Sequence, residues 1–209
     1  MIQRHLIKRA VLALLLLAWS PLVFSNFSIP LEADRWKRQY LDQVTQVWGL
    51  RLPAWLAAQV GQESSWRDGL TSSANAKGLC QFIEGTAEGI EKQYAGLAAW
   101  GRYSPGWCFY AQALLMRDLY QDYQKDRTRC NAIRFAGSAY NGGPRMLARE
   151  TAICVTHSQC NAYDWEDVSK HNARAPWAFT ENRNYVKRIT EREGTYAKLG
   201  WGVEYCKRP

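Results

Sequence analysis

Apolar residues in this chain recur at intervals of three and four, and almost nowhere in strict alternation, so the pattern predicts helices and little strand. Trp36, Tyr40, Val44, Val47 and Trp48 mark a first helix within Leu31–Leu50, with Gly49 as its stop. Pro53 is suited to open a second, strongly apolar helix that runs to Ser64. The small, polar stretch Thr71–Gly78 reads as a loop, and a helix is expected from about Gly85 to Leu97. After a turn-rich break at Gly101–Gly106, helical spacing returns over Trp107–Tyr123 and again over Asn131–Tyr140. That last helix should stop at Asn141-Gly142-Gly143-Pro144. Residues from about Thr151 to Ala178 mix cysteines and a proline without clear periodicity, so an insert with little regular structure is expected at about 145–180. A final helix is expected over Glu181–Gly194. With no repeats or linkers, the economical fold is one all-α domain over residues 26–209.

The first 25 residues break this pattern. Arg4, Lys8 and Arg9 precede a continuous apolar run from Ala10 to Phe24, and Val23-Phe24-Ser25 resembles a cleavage site. The run falls short of the roughly 20 residues that span a bilayer, so a cleaved signal peptide over 1–25 is preferred to an inner-membrane anchor. Export to the periplasm is the expected localisation. Losing three basic residues would lower the formal charge from +8 to about +5. Such a balance suits an acidic partner, and export directs it toward an anionic cell envelope rather than nucleic acid.

All six cysteines, Cys80, Cys108, Cys130, Cys154, Cys160 and Cys206, follow the export segment. An even count in an exported chain predicts disulfides. Cys154 and Cys160 would close a short loop within the insert, while the remaining pairing stays open. There is no C-x-x-C pair, and His157 and His171 lack zinc-site spacing, so neither metal nor cofactor is expected.

Glu63 is the candidate for chemistry. Leu56, Val60 and Glu63 share one helical face, which sets a carboxyl on an apolar stripe. Desolvation there would disfavour the charged form and keep a proton available near neutral pH, as protonation of a glycosidic oxygen requires. The bland alternative is a glutamate at the edge of that face, pointing to water.

Downstream segments decide between these. Glu63-Ser64-Ser65-Trp66, Ser72, Gly78-Leu79-Cys80-Gln81 and Gly85-Thr86-Ala87 are followed by Tyr140-Asn141-Gly142-Gly143-Pro144 and Glu181-Asn182-Arg183-Asn184-Tyr185-Val186. The set, from roughly Pro53 to Ile189, resembles the catalytic domain of soluble lytic transglycosylases, related to goose-type lysozyme. Any one segment is weak, since Tyr-Asn-Gly-Gly alone is only a turn; the ordered set is specific. The resemblance implies a disulfide-stabilised lysozyme-like helical fold with a substrate groove. It also implies cleavage of peptidoglycan glycan strands, with Glu63 as acid and then base, closing a 1,6-anhydro ring. Ser72 and Gln81 would contact substrate or orient the glutamate, and Tyr140 would bring its hydroxyl close to the acid. Asn141 would hold the turn or bond an N-acetyl group, and Thr86 would touch sugar or sit in a helix's first turn. Glu181 would touch peptide or sugar, Tyr185 would pack, and Arg183 would be a surface or ion-pair residue. Asp68 stands where many members have proline, and Cys80 replaces the usual methionine. The family's packing makes Cys108 the expected partner of Cys80.

Most glycosidases flank the bond with two carboxylates. No second one occupies a matching motif here, and Asp68 and Glu84 read as solvated, which favours the anhydro-forming route. A muramidase on the same fold and a non-catalytic wall-binding component of an envelope assembly are the alternatives. As a monomer of this size, the protein would suit local wall opening for a secretion, conjugation or phage apparatus.

Overall fold

The computed structural model describes residues 27–207. The expected signal peptide lies outside these residues. Helix α1 (Glu32–Trp48) ends at Gly49, whose φ of +64° favours glycine, and a 3₁₀ turn over Gly49–Arg51 leads to Pro53. Pro53 caps α2 (Ala54–Ser64), which is buried on nearly every side, from Ala54 through Gly61. It is therefore a central helix rather than an amphipathic one. Helix α3 (Glu84–Gln93) stops short of the expected Leu97, and Ala95–Trp100 continues as a 3₁₀ turn. The break falls at Tyr94, whose hydroxyl donates to Asp118 in α4 (Pro105–Tyr123), so a tertiary contact overrides the run of helical residues.

Helix α5 (Arg129–Gly142) runs two residues further than expected, and Pro144 opens α6 (Pro144–Val155) almost at once. The expected irregular insert is thus largely helical at its start. The buried stripe of α6 is Leu147, Glu150 and Cys154, and the charge at its centre concealed the period. A short helix, α7 (Trp165–Val168), follows. Helix α8 (Pro176–Lys198) begins five residues before the expected Glu181, set by Pro176 at its first position.

Helix α8 packs along α2 more extensively than any other pair of described helices, and α5 closes over the same face. Gly137 permits that approach, because a Cβ there would stand 2.1 Å from the Trp55 ring. Among the described residues β-structure is confined to isolated bridges, one of which docks Val203 beside Pro53 at the start of α2. Disulfides join Cys80 to Cys108, Cys130 to Cys206 and Cys154 to Cys160. His171 Nε2 approaches Cys160 Sγ at 3.2 Å, but the sulfurs are bonded to each other and are not thiolate ligands. No described helix is long and apolar enough to cross a membrane.

Candidate active site

Glu63 lies in the last turn of α2, and the residues after it fix that turn. Ser65 adopts a left-handed conformation at φ +52°, with its N–H bonded to Gly61 O, and Trp66 follows at φ +63°. This reversal drives Trp66 into an aromatic cluster, 4.7 Å from the Trp201 ring and 5.5 Å from Tyr40. Trp66 Nε1 donates to Tyr196 Oη at 2.8 Å, while Trp36 Nε1 donates to Trp66 O at 3.2 Å. The tryptophan of the first motif is thus an anchor for the helix end.

Glu63 keeps partial exposure, yet protein atoms crowd its carboxyl. Burial pushes its pKa up from an ordinary 4.5 to about 8, against the lowering effect of a hydrogen bond from Tyr185 and with a further push from Glu181. Tyr185 Oη donates to Glu63 Oε1 at 2.5 Å and itself accepts from Gln59 Nε2 at 2.9 Å. Gln112 Nε2 donates in turn to Gln59 Oε1 at 2.9 Å. A polar relay therefore runs from α4 through α2 and α8 to the acid, and Gln59 and Gln112 are fully buried within it.

The two tyrosines exchange their expected places. Tyr185, expected to pack, makes the direct contact with Glu63. Tyr140 donates to Cys80 O at 3.0 Å. It still lies near the acid, for burial and then the Glu63 charge both push its hydroxyl pKa up. Asn141 is helical rather than left-handed, and the positive φ falls on Gly143. Its amide is held at both ends: Oδ1 accepts from Asn182 Nδ2 at 2.8 Å, and Nδ2 donates to Glu181 Oε1 at 3.0 Å.

The loop between α2 and α3 holds Ser72 and Gln81. Ser72 Oγ accepts from Ala76 N at 3.0 Å, and Gln81 Nε2 donates to Gly78 O at 2.8 Å and Leu70 O at 3.3 Å. Both side chains thus organise the loop, and among the described residues neither hydrogen-bonds Glu63. Thr86 sits in the first turn of α3. Asp68 and Glu84 are exposed, and Glu84 pairs with Arg102.

A second network supports the site from behind. Arg174 makes a two-pronged contact with buried Glu150, at 2.7 and 2.9 Å, and Arg183 joins it at 2.9 Å. Arg183 NH1 also donates to Asn182 Oδ1 at 2.7 Å, which links the ion cluster to Asn141. Arg174 lies over Gly142 so closely that a Cβ there would stand 1.8 Å from its NH1. The 145–180 segment therefore clamps the turn that carries Tyr140 and Asn141.

Sequence reading missed Gln59, Gln112, Glu150, Arg174 and Asn182. A signal existed for the first two, since each is an isolated amide in an otherwise apolar helical run. Glu150 and Arg174 gave none, because they lie in a stretch that read as irregular.

No curated protein matches the chain. Residues 46–157 match the family described as "Transglycosylase SLT domain", a span that takes in Glu63, the following loop and the Tyr140–Pro144 turn and stops short of Glu181 and Tyr185. With more than half its length inside that match and a mostly helical fold around the matched glutamate, the chain belongs to the SLT transglycosylase domain family of the lysozyme-like superfamily, which acts on peptidoglycan.

Proposed function

We propose that the protein is a periplasmic lytic transglycosylase that cleaves the β-1,4 bond between N-acetylmuramic acid and N-acetylglucosamine and leaves a 1,6-anhydromuramoyl end. The observation that carries this reading is Glu63 itself: a carboxyl with pKa of about 8, held at Oε1 by Tyr185. Near neutral pH it is mostly protonated. With Oε1 accepting from Tyr185, the acidic proton belongs on Oε2. That proton passes to the glycosidic oxygen as the bond to the muramoyl C1 breaks. The resulting carboxylate keeps the Tyr185 hydrogen bond and then takes the proton of the 6-hydroxyl as its oxygen bonds to C1. Glu63 ends protonated, as it began. An intramolecular hydroxyl has a large effective concentration relative to water, so one carboxyl suffices.

Substrate contacts are assigned to groups with unused hydrogen-bonding capacity: the Ser72 hydroxyl proton, the Gln81 carbonyl, Thr86, the Tyr140 and Glu181 side chains near the acid, and Asn141, which is bonded to Glu181. The apolar run within residues 1–25 supports export. Monomeric action in local wall opening for a secretion, conjugation or phage apparatus is the accompanying role, tested by pull-down; recovery of general wall enzymes alone counts against it.

Digestion of purified peptidoglycan followed by mass spectrometry tests the chemistry. Anhydro ends are expected, and their loss in Glu63→Gln. Reducing ends instead would support a muramidase, a reading favoured by the influence of the Glu181 carboxylate on Glu63.

A further inference from the structure

Two glutamines, Gln59 in α2 and Gln112 in α4, stand between Leu56 and Tyr185, and both are fully buried. Packing does not call for them, since apolar side chains of the same shape would fill the space at little cost in stability. Their hydrogen bonds run in one direction. Leu56 O is a carbonyl and can only accept, so Gln112 must turn its NH₂ toward it, at 3.2 Å. The same NH₂ donates to Gln59 Oε1 at 2.9 Å. Gln112 Oε1 is left facing the Cys80 sulfur at 4.0 Å, and a disulfide sulfur has no proton to give. With its Oε1 taken, Gln59 presents Nε2 to Tyr185 Oη at 2.9 Å. Tyr185 has a single hydroxyl proton, and among the described residues its acceptor is Glu63 Oε1.

We propose that Gln59 and Gln112 are positioning residues that fix Tyr185 as a donor to Glu63 and so keep the acidic proton on Oε2, the oxygen left for substrate. The inference rests on the lytic reading for where that proton goes. Without a donor from Gln59, the Tyr185 oxygen can accept the proton of Glu63, which spends it inside the protein and favours the neutral acid. Donation by Gln59 also polarises the hydroxyl and makes it a better donor to the carboxylate formed in the reaction. Gln112 acts one step further back, since without it the Gln59 amide is free to turn over and offer Oε1 to Tyr185. The titratable groups that face Glu63 are Tyr185 and Glu181 of α8 and Tyr140 of α5, and substitutions at 59 and 112 leave all three unaltered.

Carbon-13 NMR of the Glu63 carboxyl in the full-length protein, identified by its absence from Glu63→Gln, reads the effect without substrate. Gln59→Met and Gln112→Met keep the length of the side chain and remove its donors. Each should raise the Glu63 titration midpoint by roughly 0.5 in pH, the equivalent of a threefold change in proton affinity. Peptidoglycan cleavage should slow about threefold to fivefold, from the loss of one neutral hydrogen bond. In a Tyr185→Phe background the same substitutions should change neither quantity further, because the group they act through is gone. A midpoint that stays at its wild-type value in both variants overturns the proposal. So does an effect of equal size in the Tyr185→Phe background, which would make the glutamines packing residues alone. Gln59→Met carries the test by itself if Gln112→Met does not fold. Failure of the lytic reading looks different: digestion by the unaltered enzyme then yields no anhydro ends, while the carboxyl titration, which needs no substrate, is unaffected.

Discussion

Two of the glutamates packed into this helical fold sit under opposite arrangements. Glu150 in α6 is completely buried and is met by two guanidiniums, Arg174 and Arg183. Glu63 in α2 pairs with no cation among the described residues; it has one tyrosine hydroxyl, a nearby carboxylate and a crowded setting that desolvates it. The first arrangement neutralises a charge and fastens three segments together. The second withholds neutralisation, so burial raises the pKa and leaves a proton at the edge of a groove. The same side chain becomes a brace where two arginines meet it and an acid where it reaches a groove without them, whereas buried Glu193, held by the Tyr205 and Cys206 N–H groups, is a brace without arginine.

Changing the acid should have the largest effect. Glu63→Gln is expected to lower peptidoglycan cleavage by about 10³-fold, the range of a lost general acid, measured as anhydro-product release. A variant within tenfold of wild type would break the contrast. Stability should move the other way. With the folded pKa above the unfolded value, Glu63 binds more protons in the native state between about 4.5 and 8, so its contribution is lost as pH rises through that window. At pH 8 and above, Glu63→Gln should therefore be more stable than wild type by about 1–2 kcal/mol, a figure reduced for the partial exposure of the residue. Activity of the unaltered enzyme should fall over the same alkaline limb, as protonated Glu63 is depleted.

The brace should show the reverse profile. Glu150→Ala strands two guanidiniums in a largely buried site, with an expected cost of about 3–5 kcal/mol. For a domain of this size that lowers the melting temperature by on the order of 10 °C, readable by calorimetry. Cleavage below the new melting temperature should fall far less than in Glu63→Gln. An unchanged melting temperature would remove Glu150 from its structural role.

The legible and illegible parts of the molecule divide along the same line. Glu63 was visible because a carboxyl interrupts an apolar helix, and because its neighbours in sequence form a motif. Helices α1 and α2 followed from spacing and from Gly49 and Pro53, which act locally, and α4 followed from spacing alone, beginning at Pro105 inside the expected break. Helix α6 was hidden because its buried stripe is centred on a charge that only Arg174 and Arg183, distant in sequence, make tolerable. The start of α8 was hidden because its first turns face an open cleft, where Trp177 and Thr180 leave no core periodicity. Periodicity reports burial against a core; it is silent where a helix buries an ion pair or faces a groove.

The tyrosines sharpen the contrast at smaller magnitudes. Tyr185→Phe removes the one hydrogen bond that favours the ionised form of Glu63, so its pKa should rise further and the alkaline limb of activity should shift to higher pH. Loss of a bond to a charged group also predicts about tenfold slower cleavage, because the carboxylate left after protonation of the leaving oxygen loses its donor.

Tyr140→Phe should do much less. Its hydroxyl donates to Cys80 O, a carbonyl already fixed by the Cys80–Cys108 disulfide, so the loop has a covalent tether in place of that bond. The lost hydrogen bond leaves one acceptor unpaired and should cost about 1 kcal/mol of stability. Because no direct bond to Glu63 is lost, the alkaline limb should stay close to its wild-type position. A shift as large as that of Tyr185→Phe would mean that Tyr140 turns its hydroxyl from Cys80 to Glu63 once substrate is bound, and pH–rate profiles of the two variants measured side by side separate these outcomes.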